Sequence, residues 1–160
     1  ALVDRALRRG RVGPYQIQAA IAALHAEADA AARTDWPQIA ALYALLARLQ
    51  PSPVVELNRA VAVGMAAGPE AGLALLDGIE ARGELSGYHL LASARAELLV
   101  RAGRPREAAA CYRRALELCT NPAERGWVRW RLAAPTCADD ASNPARARGA
   151  EREGSHDGRA

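Results

Sequence analysis

Gly103-Arg104-Pro105-Arg106-Glu107-Ala108-Ala109-Ala110-Cys111-Tyr112-Arg113-Arg114-Ala115-Leu116-Glu117-Leu118-Cys119 sets the architecture of this chain. Gly103 suits a tight turn, where a positive φ is often needed. Pro105 follows it and closes the preceding helix. From Arg106 to Cys119 the pattern is helical. Ala108, Tyr112 and Ala115 lie at i, i+4 and i+7, which places them on one face.

That face returns along the chain. Gly72, Leu76 and Ile79 have the same spacing, and so do Ile39, Tyr43 and Leu46. The sets are offset by 33 and 36 residues. A helical face that recurs about every 34 residues is the pattern of a tetratricopeptide-type array of helix pairs. The stretch from Gly103 to Cys119 matches the second helix of such a pair with its preceding turn; the two earlier sets match mainly in their apolar spacing. One pair alone leaves an apolar face uncovered, so pairs stack.

Punctuation on either side predicts the remaining helices. The chain opens inside a helical pattern over residues 1–9, read as a helix from an upstream domain or linker. Gly10 to Gly13 breaks it, and Pro14 then opens a helix reaching about Ala32, with Ile17, Ile21 and Leu24 on one face. Thr34 or Asp35 caps the next helix, which carries Trp36 and Pro37 in its first turn and ends near Gln50. Pro51-Ser52-Pro53 restarts the chain as a helix over 54–67, with Val54, Leu57, Val61 and Met65 inward. Gly68-Pro69 leads to a helix over 70–81, and Gly83 to Gly87 to one over 88–102 with Leu91, Leu98 and Leu99 apolar. Asn121 and Pro122 cap a last helix through Ala133, where Trp127 and Trp130 are expected to pack.

Composition agrees with an all-α chain of 160 residues. Ala is the commonest residue, Phe is absent, and aromatics make up 4%. Ala has the highest helix propensity because it loses no side-chain entropy on entering a helix. Residues 1–134 are therefore read as one helical domain of stacked antiparallel pairs, a right-handed solenoid. From Pro135 to Ala160 there is no Leu, Ile, Val, Phe, Tyr or Trp, so this tail is expected to be disordered.

The chemistry of catalysis is hard to find. There is no Gly-rich phosphate loop and no H-E-x-x-H, G-x-S-x-G or EF-hand pattern. His25, His89 and His156 are scattered, and Cys111, Cys119 and Cys137 form no C-x-x-C pair, so no metal, cofactor or disulfide framework is expected. All 21 basic residues are Arg, but a net charge of +3 is too small to argue for nucleic acid. No apolar run reaches membrane-spanning length and no signal peptide is evident, so the expected compartment is the cytoplasm.

Binding is the expected role. In a paired array the first helices line a groove, and the phase places Asn58, Ala62 and Met65 there from one pair and Ser93, Glu97 and Arg101 from the next. Asn58 could bond an extended peptide backbone through its amide. Arg59 and Arg95 flank these positions and are expected to be ion-paired or solvated.

Two stretches are more specific than a generic repeat. One is Gly13-Pro14-Tyr15-Gln16-Ile17-Gln18-Ala19-Ala20-Ile21-Ala22-Ala23-Leu24-His25-Ala26-Glu27-Ala28. The other is Asp35-Trp36-Pro37-Gln38-Ile39-Ala40-Ala41-Leu42-Tyr43, continued by Pro51-Ser52-Pro53-Val54-Val55-Glu56-Leu57-Asn58-Arg59-Ala60-Val61-Ala62. With Tyr88-His89-Leu90-Leu91 and the Gly103-Arg104 turn, they resemble the C-terminal tetratricopeptide-like extension of bacterial extracytoplasmic-function RNA polymerase sigma factors. The resemblance covers residues 1–133. It implies a regulatory domain that contacts the sigma core domains or RNA polymerase, in place of a separate anti-sigma protein. Promoter DNA would be read only by domains absent from this sequence. The alternatives are a free-standing peptide-binding adaptor and a helical accessory domain of an enzyme; sequence upstream of Ala1 separates the three.

Overall fold

A computed structural model describes residues 13–27 and 34–134. The expected helix over 1–9, the end of the first long helix beyond Glu27 and the tail from Pro135 lie outside the described residues. Among the described residues the fold is all-α, with seven helices. They are α1 (Pro14–Glu27), α2 (Trp36–Leu49), α3 (Pro53–Ala67), α4 (Pro69–Ala81), α5 (His89–Arg101), α6 (Pro105–Leu118) and α7 (Pro122–Ala133).

Local chemistry explains the boundaries. Proline opens α1, α3, α4, α6 and α7, where the missing N–H has no intrahelical partner to lose. Asp35 caps α2 by accepting a hydrogen bond from the Gln38 N–H at 3.0 Å, and Asn121 caps α7 by accepting from the Ala123 N–H at 3.0 Å. Gly103 has φ +70°. Its N–H donates to the Val100 carbonyl at 3.1 Å and the Arg104 N–H donates to the Leu99 carbonyl at 2.9 Å, a Schellman closure of α5. Gly68, at φ +107°, is the single residue joining α3 to α4.

Each helix packs against its neighbour in sequence, and α3 also touches α5. Two apolar clusters result. Ile17, Ile21, Ile39, Leu46 and Ala62 form one between α1, α2 and α3. Leu57, Ala60, Leu73, Leu76, Ile79, Leu91, Leu98, Leu99, Tyr112 and Val128 belong to the other, which runs from α3 to α7. Helix α3 thus serves both clusters with different faces.

The recurring spacing maps onto these clusters. Eight of its nine residues are buried, and Tyr43 is half-buried. Gly72 is where α3 and α4 come closest. A Cβ there would lie 2.7 Å from the Ala60 carbonyl oxygen and 2.9 Å from the Gly64 Cα. Leu98 of α5 closes over the same point.

The structure corrects two expectations about packing. Val54 is exposed, because the buried side of α3 is carried by Leu57, Ala60, Ala62 and Gly64. Trp127 and Trp130 are also exposed, at 46% and 64%; Val128 is the buried residue of α7. The short helix α7 covers the end of the larger cluster with one face only, and the two indoles fall on the other.

Candidate functional site

The positions expected to line one groove separate into three groups. Asn58 and Arg101 are exposed, and Met65 and Arg59 are half-buried. Ala62 is buried in the cluster between α1, α2 and α3, so it offers no surface to a partner. Ser93 is 5% exposed, and its Oγ has no hydrogen-bond partner. It belongs to the interior of α5 and is no groove residue. The expected phase follows one stripe, but α3 and α5 each pack on more than one neighbour, which takes Ala62 and Ser93 inside.

The third group is engaged within the chain. Arg95 donates to Asp77 at 2.6 Å and to Glu80 at 3.0 Å, tying α5 to α4. Burial works against its charge, but the hydrogen bond to Asp77 and the two nearby carboxylates outweigh it and hold the guanidinium above its ordinary value. The expected ion pairing of Arg95 is therefore present. Arg59 differs: it lines a furrow between α3 and α4 with Glu56, Leu75, Gly78 and Arg82. There Arg82, not Arg59, pairs with Glu56, at 2.5 Å.

Glu97 sits in a network the sequence did not announce. Arg131 grips it with a two-pronged contact, Nε to Oε1 and Nη2 to Oε2, each at 2.5 Å. The Tyr112 hydroxyl donates to the same carboxylate, and Arg131 Nε lies 3.2 Å from the hydroxyl oxygen. Burial, then the hydrogen bond to the Glu97 carboxylate, pushes the phenol far above its ordinary value. The hydrogen bond to Glu97 likewise holds Arg131 above its ordinary range. Partners 34 residues apart, as Arg131 and Glu97 are, leave no signature in a sequence.

Surface open to a partner lies elsewhere. Among the described residues, besides Asn58 and Arg101, the exposed large apolar side chains are Tyr15 on α1, Leu45, Leu49 and Val54 near the α2–α3 turn, Leu90 on α5, and Trp127 and Trp130 on α7. The guanidinium of Arg131 lies 5.9 Å from the Trp130 ring centre, so the indole neighbours the Glu97 network at its solvent edge. Aromatic side chains supply large contact area at low entropic cost and are enriched where proteins meet. His89, Cys119 and Glu124 also converge, from three segments. A sequence reading that took each histidine alone missed this group, since a Cys with Glu five residues on and a distant His matches no metal motif. Among the described residues, no helix is long and apolar enough to cross a membrane.

Comparison with known proteins finds a bacterial relative. The chain is 52% identical over 132 residues to the uncharacterized protein R00370 of Rhizobium meliloti (strain 1021). The matched region is 82% of this chain but 31% of that protein, so the chain spans about a third of the relative's length. No family model matches the chain, and no solved structure does.

Proposed function

We propose that this chain is the regulatory, protein-binding extension of an extracytoplasmic-function RNA polymerase sigma factor. The observation that carries the reading is where the resembling residues fall. Within the described residues, 13–27, 35–43 and 51–62 are three separate stretches that fall on the consecutive helices α1, α2 and α3 and contribute to one shared apolar cluster. That they pack together as one unit supports the reading. The relative is about three times as long as the region it shares with this chain, which suits a module joined to other domains.

In this reading the domain acts in the cytoplasm by binding rather than by catalysis. It contacts the sigma core or polymerase and leaves promoter recognition to other domains. Among the described residues the arginines are spread over several helices, and Arg82, Arg95, Arg104, Arg114 and Arg131 are paired with acids, which argues against a continuous track for DNA there.

The direct experiment is a pull-down of this chain against a sigma core, core polymerase and a promoter fragment. Retention of sigma core or polymerase at physiological salt is expected, weakened by Asn58→Ala, Arg101→Ala or Trp130→Ala. Arg95→Ala is a poor probe, because it breaks the ties to Asp77 and Glu80 as well. Loss of both protein partners together with sequence-selective binding of the promoter would replace this reading with a DNA-binding role.

A further inference from the structure

Three potential ligands meet where α5 begins, α6 ends and α7 begins. His89 is the first residue of α5, Cys119 is the C-cap of α6, and Glu124 lies in the first turn of α7. One donor atom from each lies within 4.8 Å of the other two. His89 Nε2 is 3.0 Å from Glu124 Oε2, and Cys119 Sγ is 3.7 Å from the same oxygen.

These separations fit one small ion. Zinc bonds of about 2.0 Å to nitrogen and about 2.3 Å to sulfur put tetrahedral ligand atoms roughly 3.3–3.6 Å apart. Two of the contacts bracket that spacing, and side-chain shifts of about 1 Å bring in the third. The donor set also discriminates. Magnesium and calcium take oxygen ligands, whereas an imidazole, a thiol and a carboxylate together suit zinc.

The protein leaves this group under-used. His89 Nε2 is buried and, despite its closeness to Glu124, has no aligned hydrogen-bond partner. A ring nitrogen whose nearest carboxylate is poorly aligned leaves bonding capacity unmet, which a bound cation would use. Cys119 is 2% exposed and in no disulfide, and its thiol makes only long, weak contacts, 3.6 Å to the Asn121 carbonyl and 3.7 Å to Glu124. Its backbone is fixed because Arg125 donates to the Cys119 carbonyl at 2.6 Å and also to the Leu116 carbonyl.

We propose that His89, Cys119 and Glu124 bind one zinc ion, with water in the fourth position, and that the ion clamps the start of α7 onto α5 and α6. Binding transfers the thiol proton to solvent, so affinity rises with pH. The far end of α7 is already held by Arg131 on Glu97, and the ion supplies the second point of attachment. The site does not depend on the sigma-factor reading.

Cobalt(II) is the spectroscopic probe, added to chelator-treated full chain and then displaced by zinc. The expected result is one equivalent of cobalt with a thiolate-to-metal charge-transfer band and tetrahedral visible bands. Zinc should raise the thermal midpoint of the native chain. Cys119→Ala should abolish the band and the midpoint shift, and Glu124→Gln should weaken binding at least tenfold. Cys111→Ser and Cys137→Ser should leave both readouts intact. Circular dichroism checks that each variant is folded; Glu124 is exposed, so its variant serves if Cys119→Ala is not. The site is refuted if the native chain gives no thiolate band, or if the band survives Cys119→Ala and follows Cys111 or Cys137 instead.

Discussion

Tyr43 and Tyr112 hold the same register in two helices, and the two ends of the molecule treat them differently. Tyr43 on α2 stands between Ile39 and Leu46, both buried and bulky. They fill the space against α1 and α3, so the ring is only half-buried. Tyr112 on α6 stands between Ala108 and Ala115. These small neighbours leave the gap to the ring, which is 1% exposed and reaches Glu97 and Arg131 with its hydroxyl. Identical spacing fixes which face turns inward. The sizes at i−4 and i+3 fix how far the middle residue goes in, and whether its polar tip needs partners.

The strongest way to break this comparison is to remove both rings. Tyr112→Ala should destabilise the fold by about 3–5 kcal/mol, the range for losing a fully buried aromatic ring. Tyr43→Ala should cost about half as much, because its ring is still partly in water. Chemical denaturation of the two variants gives the answer; equal losses would mean that flanking size does not distinguish the two ends.

The middle set tests the opposite extreme, with no side chain at all. Gly72→Ala should cost about 2 kcal/mol from overpacking, although Ala is the better helix former by about 1 kcal/mol. Gly78 lies in the same helix, and a Cβ there would meet only the tip of Arg82, at 3.6 Å, so Gly78→Ala should be neutral or stabilising. A stabilising Gly72→Ala would contradict the close approach of α3 and α4.

Tyr112→Phe isolates the polar tip and should cost about 1 kcal/mol, since Arg131 still satisfies Glu97. The same variant carries a pH signature. Burial and Glu97 raise the folded-state phenol above its ordinary value of 10.0, so the folded state keeps a proton that the unfolded chain releases. The associated stability is whole below about pH 10 and is lost as pH rises further. Denaturation midpoints measured up the alkaline range should fall less steeply in Tyr112→Phe than in the native chain.

The smallest effect is expected at α7. Trp130→Ala should change stability by no more than about 0.5 kcal/mol, as expected for an exposed side chain, while weakening partner retention. A large stability loss on thermal unfolding would show that the indole packs after all.

Helix number and placement among the described residues were legible in the amino-acid order. Proline at first turns, Asp35 and Asn121 at caps, and glycine at Gly68 and Gly103 act through their own backbone and their nearest neighbours. The recurring i, i+4, i+7 face was legible for the same reason, since helical periodicity is a local property. The expected groove lining was much less so: Ala62 and Ser93 share its phase and are nonetheless interior. Their fate depends on which second helix arrives, and a single helix cannot encode that. The Glu97–Tyr112–Arg131 network, the exposure of Trp127 and Trp130, and the meeting of His89, Cys119 and Glu124 were settled by packing between helices. Local interactions choose where helices start, stop and turn their apolar side. Contacts across many residues of chain choose which polar groups meet, because side-chain size at each crossing sets how closely and at what angle the helices come together.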